Sequence, residues 1–214
     1  MFILRYRTFF TTTFILLFMS SCINITEYCE FGRNGKGTMR LEVKLSYLKM
    51  FEEEKNQLKS LDSFDTIRKD LEQLPNISQV DINFDQESYT YTFQFEFDHI
   101  KSLNRALSLL YLEDDSRVFP FFVWDKEQIT RQYPDDFANH FSEKWKRYAT
   151  DPFERNYQQS IQIDHHYEFR NSIALIYSPA QATIQGDKNR NAHVYLPFTQ
   201  LMSKPDNRFT FVLK

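Results

Sequence analysis

Four glycines, two cysteines and two tryptophans among 214 residues leave this chain short of the residues on which several protein classes depend. Two cysteines cannot build a disulfide framework, so the fold must stand on its apolar core. Basic residues do not outnumber acidic ones: 26 Lys and Arg face 29 Asp and Glu, a formal charge of -3. That balance lacks the clustered positive charge with which proteins bind phosphate backbones, and no nucleic-acid partner is expected. No apolar run approaches the roughly 20 residues of a membrane-spanning helix. The sequence also lacks a Walker loop, a Gly-x-Ser-x-Gly elbow, both His-Glu zinc-protease motifs and any repeat of fixed period.

What the chain does have begins at its N-terminus. Arg5 and Arg7 precede an apolar stretch from Phe9 to Met19, and Ser20-Ser21 then lead into Cys22. A positive n-region, a short h-region of 11 residues and small residues before a cut describe a secretory signal over residues 1–21. The cysteine at the cut resembles the lipobox of bacterial lipoproteins, with Met19 where Leu, Val or Ile is usual. That resemblance implies a diacylated Cys22 as the new N-terminus and the lipid bilayer as a partner. Two acyl chains, at about 0.8 kcal/mol per buried CH2, would hold the protein to a membrane. An ordinary signal peptide, cut near Ser21 and leaving Cys22 a free thiol, is the alternative. Removal of the signal leaves 24 basic and 29 acidic residues, a charge of -5. The remaining residues, 22–214, suit a single domain.

Period-two alternation dominates the mature chain. Ile23 to Phe31 and Met39 to Leu45 read as strands, the second with Met39, Leu41, Val43 and Leu45 on one face. Asn34-Gly35 between them tolerates positive φ, so an antiparallel hairpin is expected. Cys29, in step with Phe31, reads as a small buried hydrophobe. A second hairpin pairs Val80, Ile82 and Phe84 with Tyr89, Tyr91, Phe93, Phe95 and Phe97, an aromatic stripe that reads as the core face of a sheet. A third runs Val118 to Val123 and Gln128 to Tyr133, with Pro120 pushing its first strand to an edge. Later strands are expected over Ile161 to Ile176, Ala182 to Leu196 with a turn at Gly186-Asp187-Lys188, and Phe209 to Leu213.

Helical spacing appears in three places. Tyr47, Leu48 and Phe51, then Phe64, Ile67, Leu71 and Leu74, recur at three and four until Pro75. Asp98 reads as an N-cap before Ile100, Leu103, Ala106, Leu107 and Leu110. Pro134 opens a third helical stretch with Phe137, Phe141, Trp145 and Tyr148, whose acidic start and basic end suit the helix dipole.

Five histidines, His99, His140, His165, His166 and His193, raise the question of a metal. Adjacent His165 and His166 point to opposite faces of a strand and do not share an ion, so no metal or other cofactor is expected. Asp114, Asp115, Asp135 and Asp136 fall at turns or a helix start, where solvation and capping account for them. No catalytic residue is assigned.

Taken together, Cys22, the Phe-x-x-Asn-Gly-x-Gly turn at Phe31 to Gly37, the alternating strand Met39 to Leu45, Tyr89 to Phe97 and the Leu-Asn-x-Ala-Leu segment at Leu103 to Leu107 resemble small uncharacterised lipoproteins of Bacteroidota. More distantly they are similar to the LppM-type lipoprotein domain. Tyr167-Glu168-Phe169 and Gly186-Asp187-Lys188 fit that family's final strands, and the stretch 134–159 reads as a helical insertion. The resemblance implies an α+β fold: a mainly antiparallel sheet built from successive hairpins, covered by helices on one face. It implies no enzymatic activity. The expectation is a membrane-tethered envelope lipoprotein that binds a partner protein, a glycan or a lipid. By analogy with lipoprotein sorting, Ile23 after the cysteine favours an outer-membrane anchor facing the periplasm. An envelope hydrolase is the competing expectation.

Overall fold

The computed structural model describes residues 23–45, 62–112, 118–133, 161–178, 180–203 and 207–214. The signal segment with Cys22, the apolar positions Tyr47 to Leu58, the acidic residues Asp114, Asp115, Asp135 and Asp136, His140 and the expected insertion 134–159 all lie outside the described residues.

The expected hairpins are present. β1 (Ile23–Phe31) and β2 (Gly37–Leu45) pair antiparallel along their full length, from Ile23 opposite Leu45 to Phe31 opposite Gly37. Their connection uses positive φ at Asn34 (61°) and Gly35 (74°), values that Asn and Gly tolerate. Gly37 answers a different demand. A Cβ there would lie 1.9 Å from the Glu30 carbonyl oxygen and 2.8 Å from the Phe97 ring, so only hydrogen fits.

β3 (Ile77–Asp85) and β4 (Thr90–Phe97) form the second hairpin, with Tyr91, Phe93, Phe95 and Phe97 all buried. Before it, α1 (Asp62–Gln73) ends two residues short of Pro75, and Arg68 Nη2 donates to the Ile82 carbonyl at 2.8 Å. After it, α2 (Ile100–Leu112) buries Leu103, Ala106 and Leu107. The expected Asp98 cap is replaced by its neighbour. His99 Nδ1 accepts from the Ser102 backbone N–H at 3.3 Å, while the Asp98 carboxylate takes the Lys36 ammonium at 3.1 Å.

The third hairpin is shorter than its alternation suggests: β5 (Phe122–Asp125) and β6 (Gln128–Arg131). Regular pairing begins only after Pro120, whose missing N–H cannot join a ladder.

The chain beyond residue 160 divides differently from expectation. Ile161 to Ile176 is two strands, β7 (Ile161–Phe169) and β8 (Ile173–Tyr177), and they belong to different sheets. β9 (Gln181–Gln185) and β10 (Asn191–Pro197) close a hairpin through Gly186, and a short helix α3 (Phe198–Ser203) leads toward β11 (Phe209–Leu213).

Two sheets result. The larger has the order β3-β4-β2-β1-β7-β10-β9, the smaller β5-β6-β11-β8. Every neighbouring pair is antiparallel except one, for β1 and β7 run parallel at the centre of the larger sheet. They match residue for residue, Ile23 beside Ile161, Ile25 beside Ile163, Glu30 beside Glu168 and Phe31 beside Phe169. Like residues therefore lie side by side, and the Phe31 and Phe169 rings stack at 5.4 Å.

The fold is thus mixed and mainly antiparallel, but a single helix-covered sheet does not describe it. The inner face of the larger sheet meets the smaller sheet as well as α2. Phe31 packs edge-on against Phe122 at 5.4 Å, and Tyr167 and Phe169 lie 5.0 and 4.9 Å from Phe211. Each such aromatic residue, fully buried, contributes about 1.5–3 kcal/mol relative to exposure.

Candidate functional site

Three inward strand positions carry ionisable groups in place of apolar ones: Glu27 in β1, Arg131 in β6 and His165 in β7. All three are 0% exposed. Burying an unpaired charge is prohibitive, so each must find a partner inside. Arg131 Nη2 donates to Glu27 Oε1 at 2.7 Å, His165 Nδ1 to Glu27 Oε2 at 2.7 Å, and the Tyr111 hydroxyl also donates to Glu27 Oε1. On the far side of the imidazole, His165 Nε2 and the Tyr133 hydroxyl are 2.8 Å apart. The guanidinium lies against the rings of Tyr133, Phe121 and Phe122 at 4.2 to 5.0 Å.

Burial alone would raise the Glu27 pKa, yet the Arg131 charge and the His165 contact outweigh it and hold the carboxyl well below its ordinary value. The same Glu27 charge overcomes desolvation at Arg131 and pushes its pKa up. Glu27 is therefore ionised and can only accept, so Nδ1 of His165 carries a hydrogen. Burial and the nearby carboxylate push the Tyr111 hydroxyl up as well. Cys29, two residues along the same inward face, is a free buried thiol whose pKa burial raises, as a small core hydrophobe should have.

The outer face of the larger sheet is polar and carries the second cluster. Strand register lines up Gln94, Arg40, Tyr28, His166 and His193 across β4, β2, β1, β7 and β10. Neighbouring strands lie about 4.8 Å apart, so planar side chains in one row stack. The Arg40 guanidinium sits 4.1 Å above the Tyr28 ring, Tyr28 and His166 stack at 4.9 Å and 15°, and His166 and His193 at 4.5 Å and 12°. His193 Nε2 lies 2.9 Å from Asp164 Oδ1. Partial burial, then the neighbouring His193, lower the His166 pKa. A groove of about 390 Å³ is lined by Gln94, Arg40, Tyr28 and His166 of this row, together with Glu30, Glu168, Gln185 and Asn191.

The four described histidines thus have separate surroundings. His99 caps α2, His165 faces inward, and His166 and His193 stack on the outer face. His165 and His166 do point to opposite sides of β7. Among the described residues no group of three or more His, Cys, Asp or Glu could hold a metal ion.

The chain is similar to the folded domain of the Mycobacterium tuberculosis LppM protein, solved by NMR. The TM-score is 0.44 at 8% identity, over 91% of each chain. At that score the likeness is loose, and no residue role passes from one chain to the other. No family model matches the chain, and no curated protein matches its sequence.

Neither Glu27 nor Arg131 stands out by motif. Their signal is parity: Glu27 shares the inward phase with Ile23, Ile25, Cys29 and Phe31, and His165 with Ile161, Ile163, Tyr167 and Phe169. A charge in the apolar phase of a strand announces a buried partner. It does not name one.

Proposed function

We propose that the protein is a membrane-tethered cell-envelope lipoprotein, anchored through acylated Cys22 and acting as a non-enzymatic binding module. The anchor reading rests on the sequence from Arg5 to Cys22. The binding reading is carried by one observation, the groove lined by Arg40, Tyr28 and His166 on the outer face of the larger sheet. The charged chemistry of the interior supports it from the other side. Glu27, Arg131 and His165 are sealed from solvent and join two sheets, a structural use of acid, base and imidazole.

Ile23, the first residue after the anchor, is already paired to Leu45 and Ile161. Acylated Cys22 would therefore hold that end of the large sheet against the bilayer with no linker between. An outer-membrane anchor with the domain in the periplasm, and a lipoprotein lineage within Bacteroidota, complete the proposal.

Two experiments test it. A fatty-acid analogue should label the native chain and not Cys22→Ser; equal labelling of both would remove the anchor. In-cell crosslinking followed by capture should recover an envelope protein, glycan or lipid from the native chain and less of it from Arg40→Ala.

An envelope hydrolase is the second reading, favoured by the order Tyr133, His165, Glu27, in which a hydroxyl meets an imidazole that a carboxylate orients. Turnover of envelope material by the native chain and its loss in Tyr133→Phe would support it.

A further inference from the structure

Residues 171–186 contain no Asp, Glu, Lys or Arg in a chain that is 26% charged. This run supplies two strands, β8 and β9, and among the described residues each is an edge: β8 of the smaller sheet, β9 of the larger. An edge strand offers unpaired N–H and C=O groups to any other strand, and soluble proteins blunt such edges with charge, proline, brevity or a bulge. The other two edges are blunted. β3 carries Asp81 and Asp85 and a register shift between Ser78 and Asp81. β5 has four residues, follows Pro120 and ends at Asp125. By contrast β8 and β9 carry no charge, and with them lie three of the four exposed large hydrophobic residues among the described ones: Leu175 (44%), Tyr177 (61%) and Ile184 (38%).

We propose that the outer edge of β9 pairs antiparallel with β9 of a second copy of this chain, extending the seven-stranded sheet across a two-fold axis. The sequence of β9, Gln181-Ala182-Thr183-Ile184-Gln185, is complementary to itself in that arrangement. With Thr183 on the axis, Thr183 meets its own copy, Gln181 meets Gln185, and Ala182 meets Ile184. Hydroxyl faces hydroxyl, amide faces amide, and a small side chain faces a large one. Threonine pairs and matched cross-strand neighbours are favourable in antiparallel sheets, whereas like charges directly opposite are not. A two-fold axis sets the edge against a copy of itself, so charges of one sign there would face each other and an uncharged edge suits self-pairing.

The test uses the full chain in detergent micelles. Sedimentation should give twice the monomer protein mass for the unmodified chain, and Thr183→Lys should weaken the dimer at least about tenfold by setting two ammonium groups against each other. Val123→Lys, at another exposed site, on β5, should leave the dimer intact, and circular dichroism should show both variants folded. Under mild oxidation, Thr183→Cys should form a covalent dimer that neither the unmodified chain nor Val123→Cys forms. A monomeric unmodified chain, a dimer indifferent to Thr183→Lys, or no crosslink through position 183 would each overturn the proposal.

Discussion

Glu27 in the larger sheet and Arg131 in the smaller one meet at 2.7 Å with neither side chain exposed to solvent. The contact ties together segments more than a hundred positions apart in the chain, and it fixes how the two sheets face each other. The carboxylate is satisfied further by His165 and Tyr111, so the charge has partners from α2, β6 and β7 at once.

Breaking one side of that pair leaves the other charge buried without compensation. Arg131→Met is expected to lower stability by about 3–5 kcal/mol, whereas Glu27→Gln combined with Arg131→Met should lose clearly less than the sum of the single changes. Urea unfolding of the four proteins in the cycle measures this. Additive losses would show that the two groups do not act as a pair.

Stability should also fall with acid in a defined window. Because the folded Glu27 carboxyl is held well below its ordinary value of 4.5, its contribution is fully present above that value and is lost progressively as pH falls beneath it. Glu27→Gln should flatten the dependence of unfolding free energy on pH below 4.5. Unfolding curves at stepped pH values decide it.

The outer row makes its own prediction. His166, partly buried and beside His193, should take up its proton below the ordinary imidazole value of 6.5. His193→Gln removes one of the neighbours that oppose that proton, so the midpoint for His166 should rise. Proton–carbon correlation spectra recorded through the titration read it directly, and a midpoint unmoved by the substitution would contradict the stacked arrangement.

Gly37→Ala tests the first hairpin. The added methyl would stand 1.9 Å from the Glu30 carbonyl, which is backbone and cannot move without parting β1 from β2. A loss of about 1–3 kcal/mol or more is expected from such overpacking, with Gly32→Ala, where the nearest atom is 3.3 Å away, much milder. Thermal unfolding of the two variants makes the comparison.

The legible part of this fold was local. Alternation marked β1 and β2, the aromatic stripe of β4 marked a buried face, and Asn34-Gly35 marked a turn, because a strand's period and a turn's φ are properties of neighbouring residues. Ile161 to Ile176 misled for the same reason. The polar Arg170-Asn171-Ser172 breaks its apolar content, yet nothing local says that β8 leaves for another sheet.

Glu27, His165 and Arg131 sit where parity could flag them, but their partnership could not be read from any spacing, since Coulombic pairing is set by distance in space and these residues are remote in sequence. The parallel contact of β1 with β7 is likewise invisible locally: a parallel pair needs a long crossover and carries no turn signature. Residue order and side-chain chemistry thus settled which segments become strands and which face of each turns inward. The partner of each strand, the meeting of the two sheets and the stack of Arg40, Tyr28, His166 and His193 depended on long-range register, where hydrogen bonding and burial across the whole chain choose one arrangement among many that the local sequence allows.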